Sequence, residues 1–503
     1  MSYPSLLWKK PLRETAETEE KIPENVLADL MLSGDMKNDT LDYFRKPCGA
    51  EEIPQRQGLF RILLSDGGFR EKLKELSEQL SELHRITGFY DRAEHPNERV
   101  MLFLPSLGRY LTLAKTFAGL ADYDGRAGEV GRYFAELCGE DIFRQAEAEF
   151  TQMMKNRRSE LLYTIRGNEV SAAEGGDMLK DKLERYFTEM GIPEAIPNRK
   201  ALLRANDSTA SAYAGVYFGF HAMTEQFYHK YAGAFLTGER DFHTVFAYSG
   251  EIGFLLDASD YFIRLRDAGY PLTYPEVSAK HEVVLHGIVD ASLAKRELRG
   301  EDIVPNDLLM ASEYKEEKLS FYIVTGANGG GKTTFIRACG LAILFFLAGC
   351  PIAATSARIW PFEAMYTHFP ANESFENSGR FVNEANRAEE IIEKTSENTF
   401  VLFNETYSGT DEQKSEHYSR RLADTMYERG VFGMFVTHIH SLTGSRIPTL
   451  AAVIDEADEN RRTYKIRRVG ATSSSFAEDI LEKYRLDRAS LKKRLEGERH
   501  DGT

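Results

Sequence analysis

The hydrophobic and polar positions of residues 1–300 follow mostly helical spacing. Within the segment REKLKELSEQLSELHRI, leucines recur every three or four residues and share one face of an amphipathic helix. They are Leu73, Leu76, Leu80 and Leu83. Too few heptads follow to sustain a free-standing coiled coil, so the pattern favours one face of a helical bundle. Residues 168–177 (NEVSAAEGGD) predict a loop.

The pattern changes after residue 270, where Pro271, Pro275 and Pro305 interrupt the helical spacing. We place a domain boundary between Tyr270 and Tyr314. The runs that follow predict core strands at Phe321–Val324, Phe400–Phe403 and Met434–Thr437, an edge hairpin at Ala451–Asp455 and Thr463–Arg468, and terminal helices at Ser475–Tyr484 and Ser490–Leu495. Strands that alternate with helices predict an α/β domain.

A glycine-rich stretch directly follows the first of these core strands. It comprises Gly326, Ala327, Asn328, Gly329, Gly330, Gly331, Lys332, Thr333 and Thr334, and it fits the phosphate-loop pattern G-x-x-x-x-G-K-[ST]. The apolar strand LSFYIV precedes it, and the buried-helix pattern TTFIRACGLAILFFLAG follows. A chance match in a glycine-rich turn is the alternative, and the strand and helix on either side disfavour it.

The chemistry of this stretch suits a nucleotide. Glycines let the backbone approach an anion without Cβ clashes, and successive N–H groups together with the helix N-terminus attract phosphate. Lys332 would reach the β- and γ-phosphates, and the hydroxyl of Thr333 would bind Mg²⁺. The sequence therefore predicts nucleotide binding here.

A second strand ends in polar side chains that complement this loop. The apolar run TFVLF is followed by Asn404 and Glu405. Ligand sites of α/β sheets lie at the carboxyl ends of strands, where an Asp usually helps to hold Mg²⁺ and an acid activates water. Glu405 is the candidate general base. Asn404 can hydrogen-bond a metal-bound water but adds no charge, which predicts weaker Mg²⁺ binding and slower turnover.

A histidine ends the third predicted core strand. His438 follows Phe435–Thr437, a position from which an imidazole can sense a γ-phosphate or orient water. His440 lies two residues further on and is a competing candidate. A single histidine is more often structural, and the strand-end position raises the case for His438.

Composition narrows the classes of function. The 503 residues carry a formal net charge of −15, which argues against strong non-specific DNA affinity but leaves room for a local basic patch. The four cysteines form no C-x-x-C pair, which suits a reducing cytoplasm and argues against a disulfide frame or a zinc site. The longest apolar run, Leu341 to Ala348, is too short to span a membrane, and the charged N-terminus is not a secretory signal.

Together these motifs resemble the nucleotide-binding domain of the MutS family of mismatch-repair ATPases. The loop TGANGGGKTTFIR is similar to TGPNxGGKST, and FVTHIHSL to the family's ATH element. The stretch ENSGRFVNEANRAEEIIEKTSENTFVLFNETYSGTD resembles its signature followed by the second acidic strand. The segment IVPND resembles the VPND before the first strand. The similarity covers residues 280–487 and is fainter towards the N-terminus, at IPQRQGLFRIL and YPLTYPEV.

The resemblance implies a mainly α-helical core and lever region followed by an α/β P-loop NTPase domain of MutS/ABC-like type. We expect a helical region at 1–110, a helical core and lever at 111–310, the ATPase domain at 311–487 and a tail at 488–503. The implied ligands are ATP and Mg²⁺. The implied partners are DNA and a second copy of the chain, with each Ser378–Glu384 segment facing the nucleotide of the other copy.

Several departures from the family pattern change the expectation. Ala327 replaces a Pro, Asn404 replaces the Asp, and the signature serine is shifted to Ser378 or Gly379. The Phe-x-Glu wedge that reads mismatches is matched by residues 134–136 and 187–189, but both tripeptides lie in helical patterns and we interpret them as chance matches. Only about 300 residues, mostly helical in pattern, precede the ATPase segment, so we expect a branch that lacks a mismatch reader. We also expect no nuclease-like extension after Leu495.

These features predict a cytoplasmic, homodimeric ATPase that acts on DNA in repair or recombination. ATP binding and hydrolysis would move the helical levers around the DNA. The main alternative is a nucleotide-gated protein scaffold or switch with weak DNA contact, which the net charge and Asn404 favour. A small-molecule kinase is disfavoured because the sequence shows no obvious acceptor-binding lid.

Overall fold

The computed structural model describes residues 2–94, 96–158, 161–166, 169–174, 224–237, 241–296, 298–369, 380–407, 412–443, 445–454 and 462–469. The chain forms two compact units. The first comprises Met1–Ala16 and Gly67–Ile252, and the second comprises Glu17–Asp66 and Gly253–Thr503. The domain boundaries expected from the sequence resemblance stay a prediction.

Helices dominate the described part of the first unit, and both helices and sheets form the second. The α-helices are α1 (Glu24–Asp29), α2 (Asn38–Phe44), α3 (Glu52–Ser65), α4 (Gly67–Asp91), α5 (Pro96–Ala118), α6 (Gly125–Gly139), α7 (Asp141–Arg158), α8 (224–235), α9 (Ala247–Asp267), α10 (Lys332–Leu347), α11 (Arg380–Lys394) and α12 (Glu412–Glu428). The strands are β1 (Leu161–Arg166), β2 (Glu169–Glu174), β3 (Glu276–Val277), β4 (Glu282–Ile288), β5 (Asn306–Ala311), β6 (Phe321–Thr325), β7 (Ser356–Ile359), β8 (Ala364–His368), β9 (Thr399–Asn404), β10 (Phe432–Val436), β11 (Thr449–Ile454) and β12 (Arg462–Arg468).

The predicted leucine stripe is the buried face of α4. Leu73, Leu76, Leu80 and Leu83 are all fully buried. Helix α4 packs against α5, and α5 packs against α6. The prediction of a bundle face is confirmed. None of the helices that the structure describes is long and apolar enough to cross a membrane.

Phe134, the first residue of one Phe-x-Glu tripeptide, belongs to the core of the first unit. Its side chain is fully buried in α6. Its ring stacks on that of Phe117 in α5, with 4.5 Å between the ring centroids. A wedge must be exposed to stack on a base, so the chance-match interpretation is confirmed for this tripeptide. Residues 187–189 lie outside the described residues.

A six-stranded sheet organises the second unit, in the order β12-β11-β6-β10-β9-β8. The strands from β11 to β8 are parallel, and β12 is antiparallel to β11. The predicted core strands and the hairpin are confirmed, with β12 at the edge and β11 paired to β6. Strands β9 and β10 are buried at every position, which explains their continuous apolar sequence.

Three features of the fold differ from the sequence prediction. A four-stranded sheet of order β3-β7-β4-β5 lies in the second unit and was not predicted. Strand β8 was not predicted either, because five mixed residues carry too little periodicity. The loop predicted at residues 168–177 was wrong for residues 169–174, which form β2 antiparallel to β1.

Side-chain contacts satisfy backbone groups at both edges of the six-stranded sheet. At the β12 edge, the side chain of Asn306 accepts from the Ile466 N–H at 2.8 Å and donates to the Tyr464 carbonyl at 3.1 Å. At the β8 edge, the side-chain amide of Asn25 in α1 donates to the Thr367 carbonyl at 3.2 Å. Covered edges do not recruit another strand, so the sheet ends at these two strands.

Candidate functional site

The candidate residues converge at the carboxyl edge of the six-stranded sheet. Strands β6, β10 and β9 are parallel neighbours, and the register pairs Val324 with Val436 and Val436 with Asn404. The segments that leave these strands therefore start side by side. This edge is where parallel α/β sheets place their ligands.

The glycine-rich loop connects β6 to α10 in a conformation that suits glycine. Gly326 has a φ of +122°, and a Cβ on it would lie 2.9 Å from the Cβ of Ala452 in β11. Gly331 has a φ of +88° and forms the N-cap of α10. Residues with a side chain rarely adopt these φ angles. The loop can lie close to the sheet because its residues at these positions are glycines, which lack a Cβ. The predicted strand-loop-helix arrangement is confirmed.

Lys332 is the first residue of α10 and folds back onto the loop. Its ammonium donates to the carbonyls of Gly326 at 2.8 Å and Ala327 at 3.1 Å. The residue is only 5% exposed. Burial lowers the pKa of this amine, and the nearby Glu405 carboxylate opposes the shift. The loop therefore holds a buried cation beside the N-terminus of a helix.

The two candidate metal-binding residues, Thr333 and Asn404, lie in the first turn of α10 and at the end of β9. Thr333, followed by Thr334, lies partly exposed in the first turn of α10. Asn404 ends β9 and is 7% exposed. The Oδ1 atom of Asn404 is buried and has no hydrogen-bond partner among the described residues. A buried oxygen without a hydrogen bond costs folding free energy. Such an oxygen is suited to accept a hydrogen bond from a metal-bound water.

Glu405 and His438 contact each other directly. Oε1 of Glu405 lies 2.8 Å from Nε2 of His438, across the ends of β9 and β10. The two side chains are 36% and 44% exposed, respectively. The backbone N–H of Glu405 donates to the Val436 carbonyl at 2.9 Å, which ties the residue to β10. A carboxylate held by an imidazole in this way can accept a proton from water.

Other predicted residues lie outside the part of the chain that can be described. These are Ser378 and Gly379, the loop 408–411, the terminal helices, and the side chains of residues 380–384 and of His440. Within the described ranges, no group of three or more His, Cys, Asp or Glu side chains could hold a metal ion by itself.

A cleft of about 430 Å³ opens beside the glycine-rich loop. It is lined by Thr325, Gly326, Ala327, Asn328, His438, Thr443, Thr449 and Val469. Thr443, Thr449 and Val469 were not singled out from the sequence, and no motif marks them. A larger cleft of about 530 Å³ lies at the amino ends of β8 and β9, where Ala364 and Thr399 line it. It contains none of the candidate residues, so we place the site at the carboxyl edge.

No sequence motif indicates the buried contact between Thr406, the residue after Glu405, and His368. The hydroxyl of Thr406 lies 3.0 Å from Nδ1 of His368, at the end of β8. Both residues are almost fully buried, at 3% and 2% exposure. His368 carries no motif and lies in a strand that was not predicted, so only the fold brings the two together.

Comparison with protein families agrees with this arrangement. Residues 322–477 match the family model of MutS domain V. The match begins at β6 and includes the glycine-rich loop, Glu405 and His438.

Individual proteins similar to this chain are named MutS or MutS2. The chain is 30% identical over 184 residues to the endonuclease MutS2 of Thermus thermophilus, which covers 35% of this chain and 24% of that protein. It is 28% identical over 233 residues to the DNA mismatch repair protein MutS of Lactobacillus delbrueckii subsp. bulgaricus, covering 45% and 25%. The chain thus matches about a quarter of the length of these curated relatives. Residues 322–477 of the chain are thus similar to domain V of MutS proteins.

Proposed function

We propose that the chain binds ATP with Mg²⁺, hydrolyses it, and couples the cycle to DNA in repair or recombination. The observation that carries this proposal is the convergence of Lys332, Asn404 and the Glu405–His438 pair at one sheet edge. Phosphate requires a cation, which Lys332 supplies. The hydrated metal requires an oxygen acceptor, which Asn404 supplies, and the attacking water requires a base, which Glu405 supplies.

The phosphate-binding part of the proposal rests on the loop. The backbone amides of residues 326–334 and the N-terminus of α10 would bind the phosphates, because both present partial positive charge. Lys332 would exchange its bonds to the Gly326 and Ala327 carbonyls for bonds to phosphate oxygens. Phosphate would also offset the burial that now lowers the pKa of this amine.

The metal-binding part rests on Thr333 and Asn404. Mg²⁺ takes oxygen ligands and usually keeps several waters. The Thr333 hydroxyl would bind the ion directly, and the orphaned Oδ1 of Asn404 would accept from one of its waters. When bound, Mg²⁺ neutralises charge on the phosphates. Asn404 contributes no charge of its own, which supports weaker metal binding than an Asp would give.

The hydrolytic part rests on Glu405. Its carboxylate is the candidate base that accepts a proton from the attacking water. His438 holds one carboxylate oxygen at 2.8 Å and leaves the other available for this water. His438 thus orients the base, which refines the expectation that it senses phosphate or orients water.

DNA and a second copy of the chain are proposed partners. The relatives named above are a DNA mismatch repair protein and an endonuclease. A homodimer in the cytoplasm, with the Ser378–Glu384 segment of each copy completing the other's ATP site, agrees with their family. The lever movement around DNA also remains a proposal.

A nucleotide-gated protein scaffold is the second candidate function. The net charge of −15 and the neutral Asn404 favour it, because both weaken the case for a DNA-stimulated, fast ATPase. The two candidates differ in one measurable property. Phosphate contacts to DNA release counterions, so a DNA-handling protein shows an affinity that falls steeply with salt.

ATP hydrolysis measured with and without DNA tests the proposal. We expect Mg²⁺-dependent steady-state hydrolysis whose rate changes by about threefold or more with duplex or branched DNA, with an effect that weakens between 50 and 200 mM salt. Glu405→Gln is the blank for contaminating ATPases. Tight ATP binding with hydrolysis that ignores every DNA tested would favour the scaffold instead.

Substituting Asn404 by Asp should increase the affinity of the site for Mg²⁺. A carboxylate near the ion adds Coulomb attraction, and we expect the half-saturating Mg²⁺ concentration for hydrolysis to fall about tenfold. Without Mg²⁺, the variant should unfold at a lower temperature than the wild type, because a charge replaces a side chain that is 7% exposed. Asn398→Asp, just before β9 at the opposite edge, is the matched control. An unchanged Mg²⁺ dependence in Asn404→Asp would remove residue 404 from the metal site.

A further inference from the structure

The backbone around Glu405 is held in an uncommon conformation. Glu405 has a φ of +53° and Tyr407 a φ of +70°, so two non-glycine residues within three positions are left-handed. Such a conformation is strained and persists only where surrounding contacts impose it. Such conformations cluster at functional sites, where they aim a side chain.

Contacts on both sides of Thr406 impose this conformation. On one side, the N–H of Glu405 is bound to the Val436 carbonyl of β10. On the other, Tyr407 is 2% exposed and belongs to the hydrophobic core, with its ring 5.6 Å from that of Tyr418 in α12. The two ends of the turn are therefore anchored to different elements.

Thr406, between them, is anchored to a third element. Its hydroxyl lies 3.0 Å from Nδ1 of His368, and both residues are buried. His368 is the last residue of β8 and is paired in register with Phe403 of β9. The imidazole therefore has a fixed position relative to the strand that delivers Glu405. Either the ring or the hydroxyl can donate in this hydrogen bond, depending on the imidazole tautomer.

The direction of the Glu405 carboxylate depends on this backbone. The side chain is 36% exposed, so packing does little to orient it. A glutamate has three rotatable bonds, and a small rotation of its backbone moves the carboxylate by an ångström or more. Displacement of that size reduces catalysis strongly, because the base must lie within hydrogen-bond reach of the water.

We propose that the Thr406–His368 hydrogen bond is a positioning device for the general base. It holds residue 406 so that Glu405 stays left-handed and its carboxylate stays beside His438 at the carboxyl edge. This inference rests on the proposed ATP hydrolysis and deepens it. His368 and Thr406 are positioning residues, since they act through the backbone of Glu405.

The test separates catalysis from binding. Thr406→Val removes the hydroxyl at nearly constant volume. We expect kcat for ATP hydrolysis to fall about tenfold, with the affinity for a fluorescent ATP analogue in Mg²⁺ unchanged within about twofold. Thr406→Ser keeps the hydroxyl and should retain most of kcat. His368→Phe should lose as much as Thr406→Val, and His368→Asn, whose amide can replace Nδ1, should recover part of it.

The matched control is another buried threonine of the same unit. Thr395 is 8% exposed and its hydroxyl donates to the Ile392 carbonyl at 2.9 Å. Thr395→Val loses a comparable hydrogen bond and should lower the unfolding temperature without changing kcat. The double variant Thr406→Val/His368→Phe should be no slower than either single variant, because both remove one interaction.

Each outcome decides a different claim. If Thr406→Val and His368→Phe keep the wild-type kcat while Glu405→Gln abolishes it, the positioning role is overturned and the ATPase stands. A Thr406→Val variant that fails to fold leaves the decision to Thr406→Ser and the two His368 variants. A wild-type protein that does not hydrolyse ATP overturns both proposals, whereas turnover at the wild-type rate in Glu405→Gln overturns the positioning role alone.

Discussion

Replacing Glu405 by Gln should reduce kcat for ATP hydrolysis by about 10²–10³-fold, the range typical of losing a general base. Glutamine has the same shape and can still hydrogen-bond Nε2 of His438, so the change removes basicity and leaves the geometry. ATP affinity should stay within about threefold, since in the proposed role Glu405 would contact the attacking water rather than the phosphates. Steady-state turnover and titration with a fluorescent ATP analogue measure the two quantities.

Glu363→Gln is the matched control for this substitution. Glu363 is exposed at the amino edge of the same sheet, where Asn398 donates to its carboxylate at 3.4 Å. The same chemical change there should leave kcat and ATP affinity unaltered. Turnover at the wild-type rate in Glu405→Gln would falsify the assignment of Glu405 as the base, and it would move the role to another group at this edge.

The sequence predicted the parts of the site that local chemistry dictates. Strands β9 and β10 are buried at every position and so read as continuous apolar runs that end in polar residues. The glycine-rich loop needs left-handed angles at Gly326 and Gly331, which only that residue type adopts readily. Position at a strand end was therefore enough to single out Asn404, Glu405 and His438 without any knowledge of the fold.

The parts that the sequence did not predict depend on contacts between distant segments. Strand β8 is five residues long, and its last residue contacts Thr406 only because β8 pairs with β9. The four-stranded sheet contains strands as short as Glu276–Val277, too brief to show a period. The burial of Asn404 and its orphaned Oδ1 likewise follow from packing, although the residue itself was predicted.

These nonlocal features change the interpretation of the site. From the sequence alone, Asn404 indicates a weakened metal site, and only its position at a strand end favours His438 over His440. In the structure, the buried Oδ1 of Asn404 has no hydrogen-bond donor among the described residues, and His438 is the group that contacts the Glu405 carboxylate. A slow ATPase with an intact base is the combination that both observations support.

Replacing Lys332 by Met should weaken ATP binding by about 100-fold. Hydrogen bonds to charged groups contribute about 1.5–3 kcal/mol each, and Lys332 is the charged donor of the loop. Without nucleotide, however, the unfolding temperature should change little. The substitution removes the two hydrogen bonds to the Gly326 and Ala327 carbonyls. It also removes a charge from a residue that is 5% exposed and whose amine has its pKa lowered by burial, while methionine fills a similar volume. Titration with ATP and thermal unfolding in both states measure the two effects.

Lys318→Met is the matched control. Lys318 also donates to a backbone carbonyl, that of Glu428 at 3.2 Å, and burial also lowers the pKa of its amine. It precedes β6 at the amino edge, so its loss should leave ATP affinity unchanged. Because a ligand stabilises the folded state according to its affinity, ATP should raise the unfolding temperature of Lys318→Met and not that of Lys332→Met. Equal shifts in the two variants would mean that the loop does not bind phosphate through Lys332, and the central element of the proposed ATP site would then be wrong.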